Sequence, residues 1–154
     1  MLDRAIGRRD TLTGLILPLA ERSLLLPNVA VAELIEYQAG EPLPGAPAWH
    51  LGLIDWRNLR LPLVALEAIS GRKPVIGPRS RIVVLNALGE ASERFLALLI
   101  QGIPRSCQLD SQLSYVDVPL APLELAAVQV GEVVARVPDL EALTALVARQ
   151  TVGL

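Results

Sequence analysis

The sequence predicts an all-β protein with one helix at its C-terminus. Short apolar runs of Leu, Val and Ile are separated by turns in a chain that holds 12 prolines and 11 glycines. The stretch 45–71, GAPAWHLGLIDWRNLRLPLVALEAISG, places two apolar runs on either side of a short polar tip, as in a β-hairpin. Near the end of the chain, Leu140, Leu143 and Val147 recur at the spacing of a helix.

The first part of the chain is predicted to form a hairpin and a third strand. Residues 1–10 are charged and are expected to be a flexible N-terminus. The runs 15–19 and 24–27 form the hairpin, and the proline in each run indicates an edge position or a strand end. The segment 31–35 is the next strand, and a loop rich in Gly and Pro follows it.

The central hairpin is the best-defined unit of the sequence. Its strands, 51–54 and 59–64, flank the tip Asp55-Trp56-Arg57-Asn58. A large aromatic side chain beside an arginine is more typical of a protein-binding surface than of a catalytic pocket. A short helical turn is expected over 65–70, ended by Gly71.

The second half of the chain is predicted to contain two further hairpins. The first joins the β-branched run 81–87 to the returning strand 95–100 through a polar turn at 89–93. A strand is expected within 103–109, whereas 110–124 has no clear pattern. The last hairpin joins 125–130 to 133–137. Asp139 is then placed to cap the terminal helix and to complement its dipole.

Composition limits the classes of protein to which the chain can belong. A length of 154 residues corresponds to about one domain. The net charge of −2 creates no global field that would attract nucleic acid. No apolar run has transmembrane length and no leader peptide is recognisable, so we expect a soluble, cytoplasmic protein. Cys107 is the only cysteine, which excludes an internal disulfide.

The residues needed for catalysis or metal binding are missing. His50 is the only histidine, and we expect it to be a partly exposed loop residue. Cys107 is expected to be a small buried hydrophobe. Asp110, Asp117 and Glu124 lack the spacing of a calcium loop, and 71–74 lacks the glycine frame of a phosphate loop. We therefore predict no enzyme activity, no metal site and no cofactor.

Basic residues are concentrated between positions 57 and 81, where Glu67 is the only acid. Six of the 14 basic residues lie there: Arg57, Arg60, Arg72, Lys73, Arg79 and Arg81. They could form a solvated rim with scattered ion pairs or a docking face for an acidic or mixed partner. Nucleic-acid binding is the weaker option, because Trp56 is the only aromatic residue available for base stacking.

The central stretch resembles the signature of the CheW-like domain family, roughly P-x-x-x-x-G-x-x-x-x-R-G-x-x-x-P-x-x-x-L. The matching positions are Pro47, Gly52, Arg57, Pro62, Leu63, Val64 and Leu66. The segment 31–35 is similar to the V-x-E-I sequence that follows the first hairpin in that family. Two positions depart from the family: Asn58 replaces a glycine, and Gln101 stands where the family often has the aspartate of D-G-V.

The resemblance implies a fold and a function. The fold would be two small five-stranded β-barrels packed together in a single CheW-like domain over 11–150. The protein would be an adaptor without enzyme activity that couples the cytoplasmic tip of a methyl-accepting chemoreceptor to the regulatory domain of a CheA-type histidine kinase. A chemosensory system linked to type IV pili and twitching motility is one plausible setting.

The resemblance also implies which residues contact a partner. It places Arg57 on the coupling surface and gives Glu33 a role in partner contact. The predicted partner-binding set is Val31, Glu33, Asp55, Trp56, Arg57, Asn58 and Arg60. Asn58 tolerates a positive φ, so the turn can form without the family glycine. The alternative is a small nucleic-acid-binding β-barrel that uses the basic segment 57–81, for which affinity would fall steeply with salt.

Overall fold

The computed structural model describes residues 13–86, 94–109 and 113–151. Within them lie eleven β-strands, two α-helices and one 3-10 turn at Asn28–Ala30. The strands are β1 Thr13–Pro18, β2 Ser23–Pro27, β3 Val31–Glu36, β4 His50–Trp56, β5 Leu59–Val64, β6 Arg81–Asn86, β7 Phe95–Ile100, β8 Arg105–Gln108, β9 Ser114–Tyr115, β10 Glu124–Val130 and β11 Val133–Pro138. The helices are α1 Leu66–Ile69 and α2 Leu140–Thr151.

The predicted all-β fold with a C-terminal helix is confirmed. The strands form a six-stranded sheet in the order β8-β1-β2-β11-β10-β9 and a five-stranded sheet in the order β3-β6-β7-β5-β4. The first sheet exceeds the expected five strands because the two-residue strand β9 pairs with β10. The predicted N-terminus 1–10 and the predicted turn 89–93 lie outside the described residues.

Hairpins supply most of the pairing, and one parallel pair completes each sheet. β2 runs parallel to β11 in the six-stranded sheet, and β5 runs parallel to β7 in the five-stranded sheet. β1 and β2 are interior strands, and their prolines, Pro18 and Pro27, are the last residues of each. Strand ends tolerate proline because few ladder hydrogen bonds are lost there.

The core joins the two sheets and the C-terminal helix. In the β1–β2 hairpin, Leu17 is opposite Leu24, and both side chains are buried in the main core cluster. Their neighbours Ile16 and Leu25 point to the other side and bury a smaller cluster with Val128. Side chains alternate along a strand, so this sheet contributes one face to the shared core and the other to its own interior.

The C-terminal helix begins as the sequence predicts. The Oδ1 atom of Asp139 accepts a hydrogen bond of 3.0 Å from the backbone N–H of Ala142, which is the N-cap geometry. Leu143 and Val147 are one turn apart on the buried face and pack into the main core cluster. The helix thereby closes the core that the two sheets share.

Candidate protein-docking site

The tip of the β4–β5 hairpin is a two-residue turn with unusual backbone geometry. Arg57 has φ of 48° and Asn58 has φ of 64°, and Trp56 pairs with Leu59 on either side of them. Two consecutive residues with positive φ are the mark of the type I′ turn, whose twist matches that of the flanking strands. Asn58 accepts this conformation readily, whereas arginine does so at a cost of about 1–2 kcal/mol.

Trp56 fixes the tip of the hairpin from its buried side. The residue is only 7% exposed, and its ring meets Phe95 edge to face, with 4.8 Å between the ring centroids. Its indole Nε1–H donates a hydrogen bond of 2.9 Å to the Oε1 atom of Glu33 on β3. The ring itself is therefore largely inaccessible to a partner. Trp56 instead contributes to the surface by fixing the positions of the Glu33 and Arg57 side chains.

Arg57 lies on top of this anchor. Its guanidinium carbon is 4.8 Å from the centroid of the Trp56 ring, within cation–π range. One terminal nitrogen lies 3.0 Å from the same Oε1 atom of Glu33 that accepts the indole hydrogen bond. The Arg57 side chain is nonetheless 68% exposed. We call Glu33, Trp56 and Arg57 the tip cluster; it presents a cation in a fixed place.

A second, more exposed set of charges lies beside the tip cluster. Asp55 and Arg60 face each other across the hairpin, with 3.2 Å between Oδ1 and Nε. A terminal nitrogen of Arg60 lies 2.5 Å from Oε1 of Glu41. Arg60 is thus shared between two carboxylates, and the local charge is close to balanced. Exposed pairs of this kind contribute little to stability but fix side-chain positions.

The segment after β3 holds the edge of β4 in place. The amide of Gln38 accepts a hydrogen bond from the backbone N–H of Asp55 and donates one to its C=O, each 3.2 Å long. Further along, Glu41 and Leu53 exchange two backbone hydrogen bonds, of 2.8 Å and 3.0 Å. These contacts link the two edge strands of the five-stranded sheet, so Glu33 on β3 comes within reach of the β4–β5 tip.

Gly52 allows the segment 38–41 to lie against the edge of β4. It has φ of 103°, and a Cβ atom there would lie 2.3 Å from the backbone oxygen of Glu41. Any side chain would push the 38–41 segment off the β4 edge. The glycine matched to the family signature is therefore required by both its own conformation and its neighbour's backbone.

His50 is buried, so the prediction of a partly exposed loop histidine is wrong. It is the first residue of β4, and its Nδ1 atom accepts a hydrogen bond of 3.1 Å from the N–H of Gly52. Its Nε2 atom has no hydrogen-bond partner among the described residues. Burial lowers the pKa of His50 below its ordinary value, although its own backbone hydrogen bond acts in the opposite sense. Its hydrogen bond to Gly52 supports the start of β4.

Most members of the predicted partner-binding set lie together at the hairpin tip. Glu33, Arg57 and Asn58 form its outer surface with Asp55 and Arg60. Val31 differs: it is half-buried on β3 and packs against the main core cluster. Val31, like the buried Trp56, supports the site from inside.

Sequence reasoning missed several residues that build the structure around the site. The sequence predicts only a loop rich in Gly and Pro at Gln38 and Glu41, because nothing in it marks a side-chain amide that pairs with a distant strand. The sequence offers Glu124 only as a calcium-ligand candidate with the wrong spacing, yet its side chain is 4% exposed and its two oxygens pair with Arg22 and Arg136. The backbone N–H of Ala121 also donates to Glu124 Oε1, at 2.9 Å.

The basic segment 57–81 is partly neutralised within the fold. Arg57 pairs with Glu33, Arg60 pairs with Asp55 and Glu41, and Arg72 pairs with Glu21. Lys73, Arg79 and Arg81 have no salt bridge among the described residues. The segment is therefore not a continuous positive face of the kind that binds a nucleic-acid backbone.

Two further features of the described residues bear on function. No group of three or more His, Cys, Asp or Glu side chains among them is arranged to hold a metal ion. None of the helices in the described part of the chain is long and apolar enough to cross a membrane.

Cys107 is half-buried and packs against the smaller core cluster.

Comparison with known proteins identifies a family and a fold. The family model of the CheW-like domain matches residues 13–148. Among solved structures, the scaffolding protein TtCheW from Thermoanaerobacter tengcongensis is similar, with a TM-score of 0.71 and 19% sequence identity. The alignment covers 85% of this chain and 86% of that chain. No curated protein sequence matches. The family match covers nearly every described element, and the structural likeness shows a shared fold.

Proposed function

The chain belongs to the CheW-like domain family, and we propose that it is a chemotaxis adaptor that couples chemoreceptors to a histidine kinase by docking alone. Members of this family are scaffolds and adaptors, not enzymes. The finer assignments are part of the same proposal. The partners are the regulatory domain of a CheA-type kinase and the cytoplasmic tip of a methyl-accepting chemoreceptor, which would place the adaptor in the cytoplasm. The domain spans 11–150, and a pilus-linked chemosensory system is its setting.

The observation that carries the proposal is the construction of the tip cluster. Arg57 is exposed, yet it is held by a turn with positive φ, by the Trp56 ring and by Glu33. Backbone strain that surrounding contacts maintain is typical of functional positions. A guanidinium that is fixed before binding loses less side-chain entropy when a partner carboxylate or carbonyl docks on it.

The proposed contact surface consists of exposed side chains on one end of the five-stranded sheet. Arg57 and Asn58 form its centre, and Glu33, Asp55 and Arg60 surround them. Charges of both signs within one small surface favour a partner with a complementary pattern and fix its orientation. The nucleic-acid alternative has no such support, because three of the six basic residues of 57–81 are already paired with carboxylates.

The test is a binding measurement with the CheA-type regulatory domain encoded in the same genome, by isothermal titration calorimetry. We expect micromolar binding that Arg57→Glu weakens at least about tenfold, because the change opposes Glu33 and reverses the charge at the centre of the surface. Arg149→Glu reverses an exposed arginine on α2 and serves as the matched control. It should leave the affinity unchanged.

Glu33→Gln distinguishes a direct contact between Arg57 and the partner from the support that Glu33 gives to Arg57. Glutamine retains an acceptor for the indole N–H of Trp56 but removes the charge that holds Arg57. A smaller loss of affinity than that of Arg57→Glu is expected. Equal affinity for the wild type and Arg57→Glu would remove the hairpin tip from the interface. Absence of binding to any kinase regulatory domain or receptor tip would refute the adaptor role.

A further inference from the structure

We propose that Gln38 is a positioning residue for docking. It joins the chain just after β3 to the end of β4 and thereby fixes the geometry of the tip cluster. It acts through the backbone of Asp55 and not by contact with the partner. This inference rests on the proposed function, because it concerns the same docking site. The effect of Gln38 on the tip cluster is nonetheless measurable in the protein alone, without a partner.

The tip cluster is built from two strands that are not neighbours in the sheet. β3 carries Glu33 and β4 ends at Trp56, and the two strands lie at opposite ends of the order β3-β6-β7-β5-β4. One Glu33 oxygen nevertheless lies 2.9 Å from the indole nitrogen of Trp56 and 3.0 Å from a nitrogen of Arg57. Both distances therefore depend on the contacts that hold the β3 edge against the β4 edge.

Asp55 presents backbone groups at this junction. Trp56 and Leu59 flank the two-residue turn and so form a hydrogen-bonded pair, which makes Asp55 and Arg60 the non-hydrogen-bonded pair. The N–H and C=O of Asp55 then point away from β5, toward the free edge of β4. An edge strand usually leaves such groups to water. Here the amide of Gln38 binds both of them, at 3.2 Å each.

The contact requires an amide side chain. One glutamine amide supplies both the acceptor and the donor that a neighbouring strand would offer. An ionised glutamate of the same length accepts hydrogen bonds but cannot donate one to the C=O of Asp55. It would also add a third carboxylate beside those of Asp55 and Glu41. Glutamate at position 38 therefore preserves the size of the side chain and removes its function.

The segment that carries Gln38 lies tightly against β4. Glu41 and Leu53 exchange two backbone hydrogen bonds in the middle of the strand. A Cβ atom on Gly40 would lie 2.3 Å from the backbone oxygen of Leu51, so a glycine is needed for this approach. The amide of Gln38 thus holds the end of β4 against a fixed support. It is the contact of this segment that lies closest to the tip cluster in sequence.

The first experiment follows the ¹⁵N-labelled protein alone by NMR. Gln38→Ala should shift the Trp56 indole N–H signal and speed its exchange with solvent at least about threefold, because Glu33 is held less firmly against it. The backbone N–H of Leu98, a buried residue of β7, reports global unfolding. It should change less than the indole signal. Gln38→Glu should act on the indole signal in the same direction as Gln38→Ala.

Gln129→Ala is the matched control for the NMR experiment. Gln129 also donates a side-chain hydrogen bond to a backbone oxygen at a hairpin turn, 2.8 Å from the oxygen of Gly131. It lies in the six-stranded sheet, so its removal should leave the Trp56 signal unchanged. An unchanged indole signal in Gln38→Ala would overturn the proposal. An equal effect of the control, or equal acceleration of the Trp56 and Leu98 signals, would overturn it as well.

The second experiment measures binding to the CheA-type regulatory domain by calorimetry. Gln38→Ala should weaken binding about three- to tenfold, because Arg57 must then be ordered during docking. In an Arg57→Ala background the same change should have little further effect. Additive losses would mean that Gln38 contacts the partner itself, and equal affinity of Gln38→Ala and the wild type would exclude a role in docking. If the wild type does not bind, the proposed function fails together with the docking role, whereas the NMR result still reports whether Gln38 holds the tip cluster.

Discussion

Replacing Glu124 by glutamine should cost far more stability than the same change at an exposed ion pair. The Glu124 carboxylate is 4% exposed, and its oxygens serve Arg22, Arg136 and the backbone N–H of Ala121. Arg136 is itself only 14% exposed and also donates to the backbone oxygen of Pro119 at 2.8 Å. Glutamine keeps an acceptor but removes the charge, so two partly buried guanidinium groups lose their counterion.

Burial sets the size of the effect. Removing one partner of a buried ion pair typically costs about 3–5 kcal/mol, because the remaining charge stays desolvated. The upper half of that range applies to a fully buried network. Arg22 retains 29% exposure, so water can solvate part of its charge. We therefore expect a loss of about 3 kcal/mol. A domain of this size has a total stability of about 5–15 kcal/mol, so the loss is a large fraction of the total, but the variant should remain folded.

Urea denaturation followed by circular dichroism measures the change, with a constant slope as the check for two-state behaviour. Glu41→Gln is the matched control, because Glu41 also pairs with an arginine but is 66% exposed. It should change the free energy of unfolding by less than about 1 kcal/mol. Equal effects of the two substitutions, or a Glu124→Gln loss below about 1 kcal/mol, would refute the link between burial and cost.

Two further predictions concern β4. Gly52→Ala should cost about 3 kcal/mol in urea denaturation, since it combines a strained φ with a Cβ 2.3 Å from the Glu41 oxygen. Gly45→Ala has a positive φ but open space around the Cβ, so it should cost less; equal losses would exclude the steric contact. The lowered pKa of His50 means that the unfolded chain binds its proton first. Stability should therefore be complete above pH 6.5 and fall as the pH drops below that value, by at most about 1.4 kcal/mol per pH unit. His50→Asn should abolish this slope between pH 7.5 and 5.5, and a slope that persists in the variant would contradict the assignment.

The sequence by itself determined the features that depend on near neighbours. Alternating apolar runs specify strands, and the central hairpin forms where the sequence predicts it. Its turn is confined to Arg57 and Asn58, which adopt the positive φ of a type I′ turn, whereas Asp55 and Trp56, predicted in the tip, belong to β4. Asp139 caps the terminal helix because the acceptor and the donor are only three residues apart. The spacing of glycines, prolines and arginine in 47–66 was sufficient to indicate the family.

Only the tertiary structure decided which distant groups meet. Glu33 reaches Trp56 across 23 residues, and Arg22 reaches Glu124 across 102. Neither pairing has a local signal, because a charged side chain can pair with any opposite charge that the strand order brings close. The parallel pairs β2–β11 and β5–β7 supply that order. The strand order determines that Trp56 is buried and that three basic residues of 57–81 are paired with carboxylates. It also leaves Arg79 and Arg81 without a salt bridge to a described residue.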